Sequence, residues 1–160
     1  MTGAAVMPDE RDVRALLNGL LDRSVTVTRE AAPVLPGRDV HLVGSYVDDD
    51  GEIRAVVLCD QVLGTVLGAA LALVPTPRVE EALASGLVPP DLADNTREVL
   101  NVGASMFNEG EAHLKLRDTW VVPQPVGDDV VGFLRVPCQR HDLRVEVPGY
   151  GTGVLALLLR

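Results

Sequence analysis

Apolar positions along the chain change period several times. From Asp9 to Leu21, Val13, Leu16, Leu17, Leu20 and Leu21 recur at helical spacing behind an acidic start, which predicts a short amphipathic helix. Ser24 to Thr28 alternates and is β-branched, the pattern of a strand. Pro33, Pro36 and Gly37 mark Ala31 to Arg38 as a loop. Val40 to Val47 and Ile53 to Cys59 read as two strands joined by Asp48-Asp49-Asp50-Gly51, where the glycine accepts the positive φ of a hairpin turn. The three aspartates lack the alternating ligands and the later glutamate of a Ca²⁺ loop, so the turn is the better reading.

Asp60 is placed to cap a helix through Leu73, with Val62, Val66, Ala69, Ala70 and Leu73 along one side. Gly64 and Gly68, one turn apart on that helix, allow another element to approach closely. Pro75 and Pro77 end it, and Arg78 to Ala84 forms a short helix closed by Gly86. A further helix starts after Pro89-Pro90 and runs to about Asn108-Glu109-Gly110. Beyond it, Ala112 to Val122, Val130 to Val136, Leu143 to Val147 and Val154 to Leu159 read as strands. Strands grouped on either side of a helical block predict an α+β fold with a mainly antiparallel sheet.

The helix from Asp91 to Asn108 carries the candidate chemistry. Wound at about 100° per residue from Val99, it places Leu92, Thr96, Val102, Gly103 and Met106 in one core-facing stripe. Glu98 and Asn101 fall on the far side as an i,i+3 pair able to act on one target. Asp94 and Ser105 share that face, with Arg97 and Asn108 at its edge. Geometry alone says that a carboxylate and an amide are presented together, to solvent or to a partner.

Composition narrows the partners. The 160 residues, 47% hydrophobic and 23% charged, suit one globular domain, 1–160, in which 1–23 forms an N-terminal helical extension. Fourteen basic against twenty-three acidic residues give a net charge of −9, which disfavours nucleic acid and anionic membrane as partners. Aromatics at 3% leave little for stacking on bases or sugars. The N-terminus from Met1 to Glu10 lacks the basic and apolar regions of a signal peptide. The run from Val62 to Val74 falls short of the roughly 18 apolar residues of a spanning helix. Cys59 and Cys138 have no CxxC context and read as reduced, buried thiols, so a cytoplasmic location is expected.

Other chemistries find little support. His41, His113 and His141 occur singly, and Cys138-x2-His141 is half a zinc pattern without its other half, so no metal site is expected. Gly149-x-Gly151-x-Gly153 precedes a strand rather than a helix and reads as a hairpin turn, not a phosphate cradle. Ser24, Ser45, Ser85 and Ser105 lack a nucleophile elbow. Trp120 is most simply a core or interface anchor.

Asp94-x3-Glu98-x2-Asn101, with Thr119-Trp120-Val121-Val122-Pro123-Gln124-Pro125 after it, resembles the signature of the CheC/CheX/FliY chemotaxis phosphatases. The resemblance covers about 24–160 and includes the strand that follows Gly149-Tyr150-Gly151. It implies a long, mainly antiparallel sheet with two principal helices and internal pseudo-symmetry. The first of those helices, Asp60 to Leu73, has no Glu-x-x-Asn, which makes the one-site CheX type the nearer match. Two departures stand out: the family's proline spacing falls between Pro123 and Pro125, and Ser105 occupies a position often held by glycine.

The implied activity is hydrolysis of the phospho-aspartate of a CheY-like response regulator, in chemotaxis or other two-component signalling. Asn101 would orient the attacking water and Glu98 would anchor the partner, supported by Asp94, Arg97 and Ser105. No cofactor of its own is implied, because Mg²⁺ is supplied by the phosphorylated receiver; CheX relatives also imply a homodimer. The alternatives are a non-catalytic binding module for a receiver or other signalling domain, and a structural subunit related to flagellar switch components.

Overall fold

A computed structural model describes residues 4–160; the first three positions of the leader reading lie outside them. The elements run α1 (Glu10–Leu21), β1 (Thr26–Arg29), β2 (Val40–Val47), β3 (Ile53–Asp60), α2 (Gln61–Leu71), α3 (Thr76–Ala84), α4 (Pro90–Gly103), a 3-10 turn (Ala104–Asn108), β4 (Lys115–Val121), α5 (Asp128–Leu134), β5 (Gln139–Val147) and β6 (Gly151–Leu159). The six strands form one sheet in the order β1-β5-β6-β3-β2-β4, with every neighbouring pair antiparallel. The α+β expectation therefore holds.

Local chemistry sets the boundaries. Asp9 caps α1 through a capping box with Asp12. Asp60 ends β3 and starts α2 at once, its carboxylate accepting from the Leu63 N–H at 2.8 Å. Gly51 takes φ +80° at the β2–β3 turn, as the Asp-Gly pair requires. The Asp48 carboxylate closes this turn by accepting from the Asp50 and Glu52 N–H groups at 2.9 and 3.0 Å.

Side chains alternate across the sheet. One face, carrying Leu42, Tyr46, Val57, Leu143, Val145 and Leu157, packs under α1, α2 and α4 in the main core. The other face carries Val43, Val56, Leu58 and Leu158, covered by Val130 and Phe133 of α5 and by Val34 of the 31–38 loop.

Several expectations are corrected here. Val130 to Leu134, the greater part of the run read as a strand to Val136, belongs to the helix α5 with Asp128 and Asp129 in its first turn. Val130 and Phe133, three apart, both bury against the second face, and that burial overrides the β preference of the valines. α2 stops at Leu71 and Leu73 lies beyond it, 69% exposed with φ +53°. The long helix is α only to Gly103 and tightens to 3-10 over Ala104–Asn108. Cys59 is buried as expected, whereas Cys138 is half-buried. No helix among the described residues is long and apolar enough to cross a membrane.

Candidate functional site

The candidate face lies on α4. Pro90 at the first helical position fixes its start, where a missing N–H costs nothing. Leu92, Ala93, Thr96, Val99, Leu100 and Gly103 are buried. The core stripe is thus rotated from the one read off the sequence: Val102 is 39% exposed, while Ala93 and Leu100 face inward. The reason is that α4 packs against α2, strand β2 and strand β4 together, so its buried sector is broad and centred away from Val99.

Asp94, Arg97, Glu98, Asn101 and Ser105 all fall on the exposed side, as expected. Among the described residues no hydrogen bond or ion pair engages the side chains of Asp94, Glu98, Asn101 or Ser105. Asn101 and Glu98 therefore stand together on the helix surface with their polar ends unspent. Asn108 does not join them: its amide bonds both the carbonyl and the N–H of Leu114 at 2.8 Å and closes the turn into β4.

What lies beneath that face is rigidly held. A Cβ placed on Gly68 would lie 2.1 Å from the Leu92 carbonyl oxygen and 2.8 Å from Thr96 Oγ1, so only glycine lets α2 and α4 come this close. The buried Thr96 hydroxyl donates to the Gly64 carbonyl at 2.6 Å. On the opposite flank the Arg97 guanidinium donates to Thr119 Oγ1 of β4 at 2.9 Å. Arg78 of α3 pairs with Asp91 at 2.9 Å and ties the start of α4 to α3. Sequence reading named Arg97 as supporting or partner-binding; its guanidinium is engaged with the neighbouring strand.

The supporting residues Thr119 and Tyr46, bonded to Arg97 and to the Leu100 carbonyl, were not singled out from the sequence. Tyr46 offered one signal, since a tyrosine inside an apolar strand must find a partner for its hydroxyl. Among the described residues no group of three or more His, Cys, Asp or Glu side chains is arranged to hold a metal ion.

No protein-family model and no curated protein sequence matches the chain. Solved structures do. The FliM middle domain of Vibrio alginolyticus superposes with a TM-score of 0.61 at 11% identity, over 94% of this chain and 87% of that one. A CheX from Borrelia burgdorferi, solved as a complex with CheY, BeF3 and Mg²⁺, superposes with a TM-score of 0.52 at 7% identity, over 96% of this chain and 99% of that one. A CheC-like protein from Shewanella oneidensis gives 0.51 at 12% identity, over 93% and 95%. The architecture is therefore the CheC/CheX fold, which the FliM middle domain shares. A single Glu-x-x-Asn, on α4, is consistent with the one-site CheX form.

Proposed function

We propose that this chain is a phosphatase for the phospho-aspartate of a CheY-like receiver domain in chemotaxis or a related two-component pathway, acting from the exposed face of α4. One observation carries the reading: Glu98 and Asn101 lie three residues apart on the solvent side of a helix whose other sides are fixed to α2, β2 and β4. The fold shared with the CheX that was solved together with CheY supports it.

An acyl phosphate is labile, and the receiver itself supplies Mg²⁺ and a lysine around the phosphoryl group. The helix has to hold a water in line with the P–O bond. An amide suits this task, because its oxygen accepts from the water while its NH₂ donates to a phosphoryl oxygen. Asn101 takes that role. The water's oxygen forms the new bond to phosphorus, the bond to the aspartyl oxygen breaks, and dihydrogen phosphate and a free carboxylate result, both of the water's protons leaving on the phosphate. Positioning can lower such a barrier by several kcal/mol without a general base. Glu98 pairs with the receiver's lysine and sets the docking register. Asp94 and Ser105 form the rim of the docking face, and Arg97 holds the helix to β4. The reading places the protein in the cytoplasm with its receiver and, through the CheX resemblance, as a homodimer.

Phosphate release from a phosphorylated, Mg²⁺-loaded receiver tests it. Asn101→Ala is expected to abolish acceleration at any concentration, and Glu98→Ala to weaken binding and turnover together. Full activity in either variant refutes the mechanism. The alternative, a non-catalytic module for a signalling domain, is compatible with the fold shared with the FliM middle domain. It predicts receiver binding with no acceleration.

A further inference from the structure

Asn101 sits in the last turn of the α-helical part of α4, three residues before the pitch changes. In a continuous α-helix the Ala104 N–H would donate to the Leu100 carbonyl, four residues back. Here the Ala104 N–H turns instead to the carbonyls of Asn101 and Val102, and the 3-10 turn Ala104–Asn108 begins. The Leu100 carbonyl is taken up by the Tyr46 hydroxyl of β2, which donates to it at 2.6 Å. Tyr46 is 1% exposed, and its ring lies 5.2 Å from that of Phe107, inside the same 3-10 turn.

We propose that Tyr46 is a positioning residue for Asn101: its hydroxyl holds the carbonyl of the peptide that joins Leu100 to Asn101 and so fixes where the Asn101 side chain points. The inference rests on the phosphatase reading above. The geometry isolates this one bond. Thr96 and Arg97 hold α4 a turn earlier, against α2 and β4. The Asn108 amide holds the far end of the 3-10 turn. Between them, the segment that carries Asn101 is tied to the sheet through the Leu100 carbonyl. A peptide unit is planar, so fixing the Leu100 carbonyl also fixes the N–H and Cα of Asn101 across it, and with them the aim of the amide. Burial pushes the phenol well above its ordinary value, so the hydroxyl keeps its proton and remains a donor across the working range.

Tyr46→Phe keeps the ring and deletes the donor. Thr65→Val is the comparison: it also deletes a buried hydroxyl, one whose bond, to the Gln61 carbonyl at 2.8 Å, is internal to α2. In steady-state phosphate release from a phosphorylated receiver, Tyr46→Phe is expected to lower kcat by about tenfold or more with KM near wild type, since misplacement of a water-holding group costs rate rather than docking. Thr65→Val is expected to leave kcat unchanged. The Asn101 side-chain amide resonances should shift in Tyr46→Phe and stay in place in Thr65→Val. A tyrosine that only completed the core would give matched behaviour in the two variants. Active wild type with an equally active Tyr46→Phe, or an equal loss in both variants, overturns the clamp alone. Wild type without acceleration overturns the phosphatase reading, and the clamp's part in catalysis with it.

Discussion

Replacing Gly68 by alanine is expected to pry α4 from α2. The new methyl would stand 2.1 Å from the Leu92 carbonyl oxygen and 3.0 Å from its carbon, both backbone atoms that no rotamer change can move. Relief needs a shift of α4 by roughly 1 Å, and overpacking of this kind costs about 1–3 kcal/mol. The same shift stretches the 2.6 Å bond from Thr96 to the Gly64 carbonyl, worth about 0.5–1.5 kcal/mol. Against this, alanine in a helix gains about 0.5–1 kcal/mol over glycine. The net loss is about 2 kcal/mol, within a range of about 0.5–4, and at its centre a fall in Tm of roughly 4–8 °C for a chain of this length. Far-UV circular dichroism and fluorescence of the single tryptophan, Trp120, give two independent probes of the transition. Trp120 packs on the second sheet face, away from the substitution, so coincident transitions would show cooperative loss of the whole fold. A Gly68→Ala protein as stable as wild type would refute the close packing on which the site depends.

Two other expectations follow from the same geometry. Gly103→Ala should stabilise by about 0.5–1 kcal/mol in urea unfolding, because its methyl meets Leu16, Met106 and Tyr46 at ordinary contact distances of 3.6–3.7 Å and its φ is −60°; a loss of stability would contradict it. At the β2–β3 turn, the Arg54 guanidinium holds the buried Asp48 carboxyl below its ordinary value of 3.8, with burial opposing and the Glu52 and Asp50 N–H groups assisting. A carboxyl depressed in the folded state contributes stability that is complete above 3.8 and fades as pH falls toward its folded value. Asp48→Asn should therefore be less stable than wild type at neutral pH, with the gap closing in acid; a gap independent of pH would contradict the assignment.

Period and punctuation carried most of the fold. The acidic start at Asp9, the capping Asp60, the Asp-Gly turn and the Pro89-Pro90 pair that opens α4 each act through a local mechanism that a sequence exposes. α5 was hidden because its valines prefer strands, and only the apolar face it covers decides otherwise. Val102 was misplaced because a helical wheel assumes one neighbour, whereas α4 meets α2, β2 and β4 together. The outward face with Glu98 and Asn101 was legible, since polarity and spacing suffice for it. Its supports were not. The links from Thr96 to Gly64, Arg97 to Thr119 and Tyr46 to Leu100 join residues 22 to 54 positions apart, and a single sequence carries no record of such pairs.

The account stands most directly on the decay of a phosphorylated, Mg²⁺-loaded CheY-type receiver, followed by inorganic phosphate release with wild-type protein and with Asn101→Ala beside it. Acceleration by the wild type that vanishes in a folded Asn101→Ala protein is the predicted result. Decay at the receiver's own rate in both, or equal acceleration by both, would contradict it.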